Sequence, residues 1–166
     1  MNNFIPFENL IYDSYLSERE LLHRLSQFIE PKKYFRFNDF ENNNKRYEGY
    51  VSANIFEINR ILNYRNSFIP FIKGEIKDNN GRARINVKMR IHPMVMVFMS
   101  LWLGIIGIII FALLISSIKE NKFEPSIIIV ISMFLAGYFM TLFGFKYESK
   151  KSKKDLEEIL DARLIE

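Results

Sequence analysis

The sequence predicts an α+β membrane protein in which a two-helix transmembrane hairpin is inserted into a small antiparallel β-sheet domain flanked by N- and C-terminal helices. Three observations predict it. Two runs carry no charge, 25 residues at 94–118 and 21 at 125–145, and each exceeds the roughly 20 residues needed to span a hydrocarbon core. Much of the stretch 47–91 alternates apolar and polar side chains with a period of two, as half-buried strands do. Two stretches nearer the ends repeat apolar residues at helical spacing.

The averages of the 166 residues resemble those of a soluble protein: 49% hydrophobic, 25% charged, formal net charge +4 and mean hydropathy −0.02. The apolar residues are concentrated in the two uncharged runs, which argues against a soluble globular protein. The length suits one domain of ordinary size. With no cysteine, a disulfide scaffold, thiol catalysis and cysteine-based zinc sites are excluded.

Residues 17–30 read as a helix. Ser17-Glu18-Arg19-Glu20 is a capping box, in which the Ser17 hydroxyl serves the Glu20 N–H and the Glu20 carboxylate serves the Ser17 N–H. Leu16 and Leu21 are placed as a hydrophobic staple. Leu21, Leu22, Leu25, Phe28 and Ile29 form one stripe, and Pro31 prevents continuation. His23 points away from that stripe and reads as a solvated side chain.

Beyond it the period becomes two. Phe35 and Phe37 alternate, and Asn42-Asn43-Asn44-Lys45 reads as a turn. Tyr47, Gly49, Val51, Ala53 and Ile55 share a face, and a slip of phase at Ile55-Phe56 predicts a bulge or bend. Strands at 68–77 and 82–91 flank the hairpin turn Asp78-Asn79-Asn80-Gly81. Ala83, Ile85, Val87, Met89 and Ile91 face one way, while Arg82, Arg84, Asn86, Lys88 and Arg90 face the other. Four or five strands with helix 17–30 over their apolar face make a cytoplasmic domain at 1–93, and Pro93 ends its last strand.

The first transmembrane helix is expected at 94–118, a short external loop at 119–124, and the second helix at 125–145, with Pro125 suited to a first helical turn. Five basic residues precede the first run (Lys77, Arg82, Arg84, Lys88, Arg90) and five follow the second (Lys146, Lys150, Lys151, Lys153, Lys154), against two in the loop. The positive-inside rule therefore places both termini in the cytoplasm of a multi-pass inner-membrane protein. Ser100, Gly104 and Gly107 on one run, and Gly137, Thr141 and Gly144 on the other, are candidates for close helix packing, within the hairpin or between copies. Trp102 reads as lipid-facing or as hairpin packing. Neither run contains an ionisable side chain, which argues against transport by a monomer. A pore built from many copies would have only Ser100, Ser116, Ser117, Ser132, Tyr138 and Thr141 to line it.

In the cytoplasmic segment 146–166, the alternation of Phe143, Phe145 and Tyr147 predicts a short strand as the chain leaves the bilayer. Residues 152–166 then read as an amphipathic helix with Leu156, Ile159, Leu160 and Leu164 on one stripe. A free helix of that length is marginal in water, so docking on the sheet is expected, with binding to a partner protein as the alternative.

No catalytic, cofactor or metal constellation is present in the sequence: the two histidines lie in different elements, and no phosphate-binding, dinucleotide or zinc-protease motif occurs. Neither an enzyme nor a cofactor is expected. Arg60, Arg65, Arg82, Arg84, Lys88, Arg90, Lys150 and Lys151 are the candidate contacts to lipid headgroups or another anion, the competing reading being solvated charges that set topology. Nucleic acid is not expected, because Glu48, Glu57, Glu75 and Asp78 interrupt the basic field.

The polar and aromatic segment 58–74, with Pro70 read as marking an edge strand, and the Arg90-Ile91-His92-Pro93 approach to the first run resemble those of small uncharacterised bacterial two-span membrane proteins with a cytoplasmic sheet. A remoter likeness is to bacterial membrane proteins with pleckstrin-homology-like domains, from which the order of elements departs. The resemblance implies no activity. The expectation is a membrane-anchored binding or scaffolding module whose partners are the bilayer, another copy or a membrane protein. The alternative is an accessory subunit of a transport, secretion or defence complex.

Overall fold

The computed structural model describes residues 4–32, 45–62, 64, 66–79 and 81–165. The alternation at Phe35 and Phe37 and the asparagines at 42–44 lie outside the described residues, as does Arg65. The elements are β1 (Phe7–Ser14), α1 (Glu18–Phe28), β2 (Ile29–Glu30), β3 (Tyr47–Ser52), β4 (Ile55–Arg60), β5 (Pro70–Asn79), β6 (Arg82–Ile91), α2 (Pro93–Glu120), α3 (Ser126–Leu160) and β7 (Ala162–Leu164). The strands form one sheet in the order β2-β3-β4-β5-β6-β1-β7. Among the described residues only β2 and β3 pair in parallel, so the sheet is mixed and larger than the antiparallel one expected.

A strand, not a helix, leads the chain. The inward positions of β1 are Glu8, Leu10, Tyr12 and Ser14, all buried. Two of these four are polar, which hides the alternation from a hydrophobicity pattern. The capping box then starts α1: Ser17 N donates to Glu20 Oε2 at 2.9 Å, and Glu20 N to Ser17 Oγ at 3.5 Å. Leu21 and Leu25 enter the core. Ile29 turns extended and forms β2, in keeping with the bias against helix just before Pro31.

The phase slip at Ile55-Phe56 is a tight hairpin and not a bulge. Ser52 lies opposite Ile55, the connection is Ala53-Asn54, and Ala53 takes the left-handed conformation at φ +49°. Pro70 does not mark an edge, because β5 lies between β4 and β6. It is the first residue of its strand, where a missing N–H is tolerated. Gly74 is required by packing, since a β-carbon there would lie 2.0 Å from the ring of the fully buried Phe56.

One face of the sheet carries the core. Ala83, Ile85, Val87, Met89 and Ile91 of β6 join Leu10, Phe56, Ile58, Ile72 and Ile76 beneath two covers. The first cover is α1, and the second is the C-terminal part of α3, through Phe145, Leu156, Ile159 and Leu160. The opposite face holds the row Arg82, Arg84, Asn86, Lys88 and Arg90.

Helices α2 and α3 are both long and apolar enough to cross a membrane, and they pack on each other as a hairpin. They extend past the expected bounds, and α3 differs in kind. It continues without a break through the predicted strand at 143–147 and on to Leu160. Phe145 is fully buried, whereas Phe143 and Tyr147 are exposed, and the Lys- and Glu-rich sequence after Gly144 contains no helix breaker. At Asp161 the backbone turns left-handed, and the tail returns as β7 beside β1, so Leu164 lies in a strand and not on a helical stripe.

Candidate functional site

The most densely organised polar region among the described residues is the junction where α3 leaves the apolar hairpin and crosses the sheet. Side chains seven apart on a helix lie on nearly the same flank, and those two apart lie on opposite flanks. Lys146, Ser149 and Lys153 therefore face one side of α3, and Glu148 and Asp155 the other. The sheet meets each flank with the opposite charge.

On the β1 side, Glu8 accepts from Lys146 Nζ at 2.8 Å, Ser149 Oγ at 2.8 Å and Lys153 Nζ at 2.5 Å. Its side chain is 3% exposed. Burial pushes the Glu8 carboxyl up, but the hydrogen bonds from Lys146, Lys153 and Ser149 and the Lys153 charge outweigh it, and the pKa lies below the ordinary value. On the β3–β4 side, Arg60 bridges Glu148 at 3.3 Å and Asp155 at 3.2 Å. The Tyr64 hydroxyl donates to the fully buried Glu148, and the Tyr47 hydroxyl donates to Asp155 at 3.3 Å. Further along, Arg46 pairs with Glu158 at 2.8 Å and holds its carboxyl below the ordinary value. Tyr12 is buried with a hydroxyl that has no hydrogen-bond partner among the described residues, and that burial raises its pKa.

The candidate anion contacts are spread over three places. Arg60 is engaged by two carboxylates and is no open anion site. The 82–90 row lies on the uncovered face, where Arg84 Nε meets Asp13 at 3.0 Å, Arg82 lies 5.2 Å from the Tyr15 ring centroid, and Arg90 lies 5.6 Å from that of Phe71. Lys88 is exposed between Asn9 and Lys73 on the neighbouring strands. Lys151 lies 4.1 Å from the Tyr147 ring centroid and 3.8 Å from Glu148, while Lys150 is exposed.

The small residues of the hairpin also separate. A β-carbon on Gly137 would lie 2.2 Å from Trp102, so these two make the close approach between the helices. The Thr141 hydroxyl donates to Gly137 O at 2.8 Å. Gly144 meets Phe68 from the segment before β5, at 2.9 Å, and not α2. Among the described residues nothing lies within 4 Å of a β-carbon on Gly104 or Gly107, and Ser100 is exposed.

Sequence reasoning missed Glu8, Ser149, Lys153, Glu148 and Asp155 as a working group. The signal was present: lysines and acids two apart recur after seven residues, which puts opposite signs on opposite flanks of any helix drawn through them. No three His, Asp or Glu side chains gather as metal ligands among the described residues. Comparison with known protein families, curated proteins and solved structures finds no match to this chain.

Proposed function

We propose that this chain is a membrane-anchored binding or scaffolding module, with the α2–α3 hairpin crossing the inner membrane and the sheet held against the cytoplasmic leaflet. The continuity of α3 carries the reading: the same helix that forms half of the apolar hairpin ends clamped beneath the sheet. A hairpin joined to the sheet by a flexible link would only tether it. An unbroken helix fixes its distance and tilt. The excess of basic residues on the sheet side of both helices over the 119–124 loop supports a cytoplasmic sheet.

Because the chain has no cysteine, single-cysteine variants test this directly. A membrane-impermeant maleimide is expected to label Lys122→Cys in intact cells and Lys154→Cys only after permeabilisation. The opposite pattern, or a chain recovered in the soluble fraction, overturns the reading.

The second reading, an accessory subunit of a larger membrane assembly, is favoured by the outward face of α2, where Gly104 meets none of the described residues. Mass measurement after native purification separates the two, since a stoichiometric foreign subunit supports the accessory role.

A further inference from the structure

The chain enters β1 from the side of the two apolar helices. Phe7 pairs with Arg90, and from Arg90 the chain runs on through His92 into α2. Because β1 and β6 are antiparallel, the residues before Phe7 extend the same way, past the end of the sheet and beside the start of α2. Pro6 accordingly lines an apolar cleft with Ile91, Val95, Met99 and Leu142. A hydrogen bond fixes how far the segment reaches: the Tyr138 hydroxyl donates to Phe4 O at 2.7 Å. Tyr138 precedes Phe145 by seven residues, which at about 1.5 Å per residue puts it about 10 Å into the apolar part of α3.

Phe4-Ile5-Pro6-Phe7 suits an apolar surrounding. It carries no charge, and Glu8 is the first charged residue of the chain. In lipid every backbone polar group needs a partner. Here Pro6 has no N–H to satisfy, and the Phe4 carbonyl is served by Tyr138, the one tyrosine of the two uncharged runs. The large side chains are nevertheless left uncovered: Phe4 is 73% exposed, Ile5 49% and Phe7 39%. The Tyr138 ring meets Phe139 edge-on at 5.4 Å, and Phe139 stacks on Phe143 at 5.7 Å, both of them exposed. Through Tyr138 the uncovered tip continues an aromatic row of α3 that the membrane reading puts in lipid. At the level of Phe7, the exposed Arg90 is a long cation at the boundary, with the reach to meet headgroup phosphate.

We propose that Phe4, Ile5 and Phe7 insert into the leaflet beside the sheet as a third, shallow membrane contact, with lipid acyl chains covering their exposed sides. The depth set by Tyr138 agrees with the roughly 5–10 Å to which interfacial apolar segments are buried. The inference rests on the membrane reading above and adds a point of contact to it. A tip inserted beside the hairpin resists rocking of β1 away from the leaflet.

The test uses the full chain with single cysteines carrying an environment-sensitive fluorophore, reconstituted in vesicles of phosphatidylethanolamine and phosphatidylglycerol with iodide on both sides. Phe4→Cys and Ile5→Cys are expected to be quenched about threefold more strongly by a lipid spin-labelled near the top of its acyl chain than by iodide. Asn79→Cys, at the far end of β5, is expected to show the reverse order. Tyr138→Phe removes the hydroxyl alone and is expected to move the label at position 4 toward iodide, and no change there overturns the depth assigned to the tip. Stronger quenching by iodide at both tip positions overturns the proposal. Shielding from both quenchers, the result of a second copy or a partner protein seated on the tip, overturns it too. Ile108→Cys, exposed near the middle of α2, separates this inference from the reading beneath it. Lipid quenching at position 108 with iodide quenching at the tip sinks this inference alone, whereas iodide quenching at both sinks the membrane reading as well.

Discussion

Glu8→Gln keeps the shape of the side chain and removes one charge at the point where α3 is clamped to β1. The carboxylate lies 2.8 Å from Lys146 Nζ and 2.5 Å from Lys153 Nζ. At an effective dielectric of about 20, each pair has a gross attraction of about 6 kcal/mol, much of which is returned as desolvation. Removing one partner of a buried pair costs about 3–5 kcal/mol. Here Lys146 and Lys153 retain enough exposure to regain some hydration, which selects the lower end, about 3 kcal/mol. At about 2–4 °C per kcal/mol for a chain of this size, the melting midpoint should fall by about 6–12 °C. Circular dichroism of the detergent-solubilised protein reads it. A companion variant, Glu8→Leu with Lys146→Met and Lys153→Met, replaces the whole cluster with apolar groups and should recover most of the loss. A midpoint that moves less than about 2 °C in Glu8→Gln refutes the clamp.

Gly137→Ala places a β-carbon 2.2 Å from Trp102, the one tryptophan of the chain, so its fluorescence should shift as the hairpin adjusts, whereas Gly104→Ala should leave emission and melting unchanged. Gly74→Ala forces the buried Phe56 ring to move and should cost about 1–3 kcal/mol, read as a lowered melting midpoint. Glu8, and Glu57 beside Lys73 and Tyr50, have pKa values held below the ordinary one. A depressed carboxyl pKa contributes stability that is present above the unfolded pKa of about 4.3 and is lost as pH falls through the folded value. Melting should therefore be flat from about pH 6 to 5 and decline below about pH 4, and a midpoint that rises on acidification contradicts these ion pairs.

Strand β6 was legible to the residue, because its five inward positions are all apolar and its outward ones all polar. The start of α1 was legible because a capping box is a local hydrogen-bond pattern, complete within four residues. Strand β1 was not, since Glu8 and Ser14 occupy inward positions and find partners on α3, more than 130 residues away: Ser14 Oγ donates to Leu160 O at 2.7 Å. The same distance in sequence explains the basic residues. Arg84 reads as an exposed cation until β1 places Asp13 beside it, and Arg60 until α3 brings Glu148 and Asp155. The continuity of α3 was hidden by its change of partners, apolar neighbours before Phe145 and a charged, buried interface after it, which reads as two elements in any hydropathy pattern.

That change of partners is what makes α3 informative about function. At about 1.5 Å per residue its 35 residues span about 52 Å, of which the 20 up to Phe145 cover about 30 Å and the remaining 15 about 22 Å. The first length matches a hydrocarbon core, and the second lies across the sheet. Rotating the helix half a turn about its axis would set Lys146 and Lys153 against Arg60, and Glu148 against Glu8, so the two clusters specify one rotation by repulsion as well as attraction. Under the membrane reading, that fixed rotation sets which side of the sheet domain faces the leaflet. The basic row on the open face, with Arg84 already paired to Asp13 and Lys73 to Glu57, contributes weaker, screened charge. Charge that orients this domain is thus concentrated where α3 meets the sheet, and variants there should alter anchoring geometry before variants of the 82–90 row do.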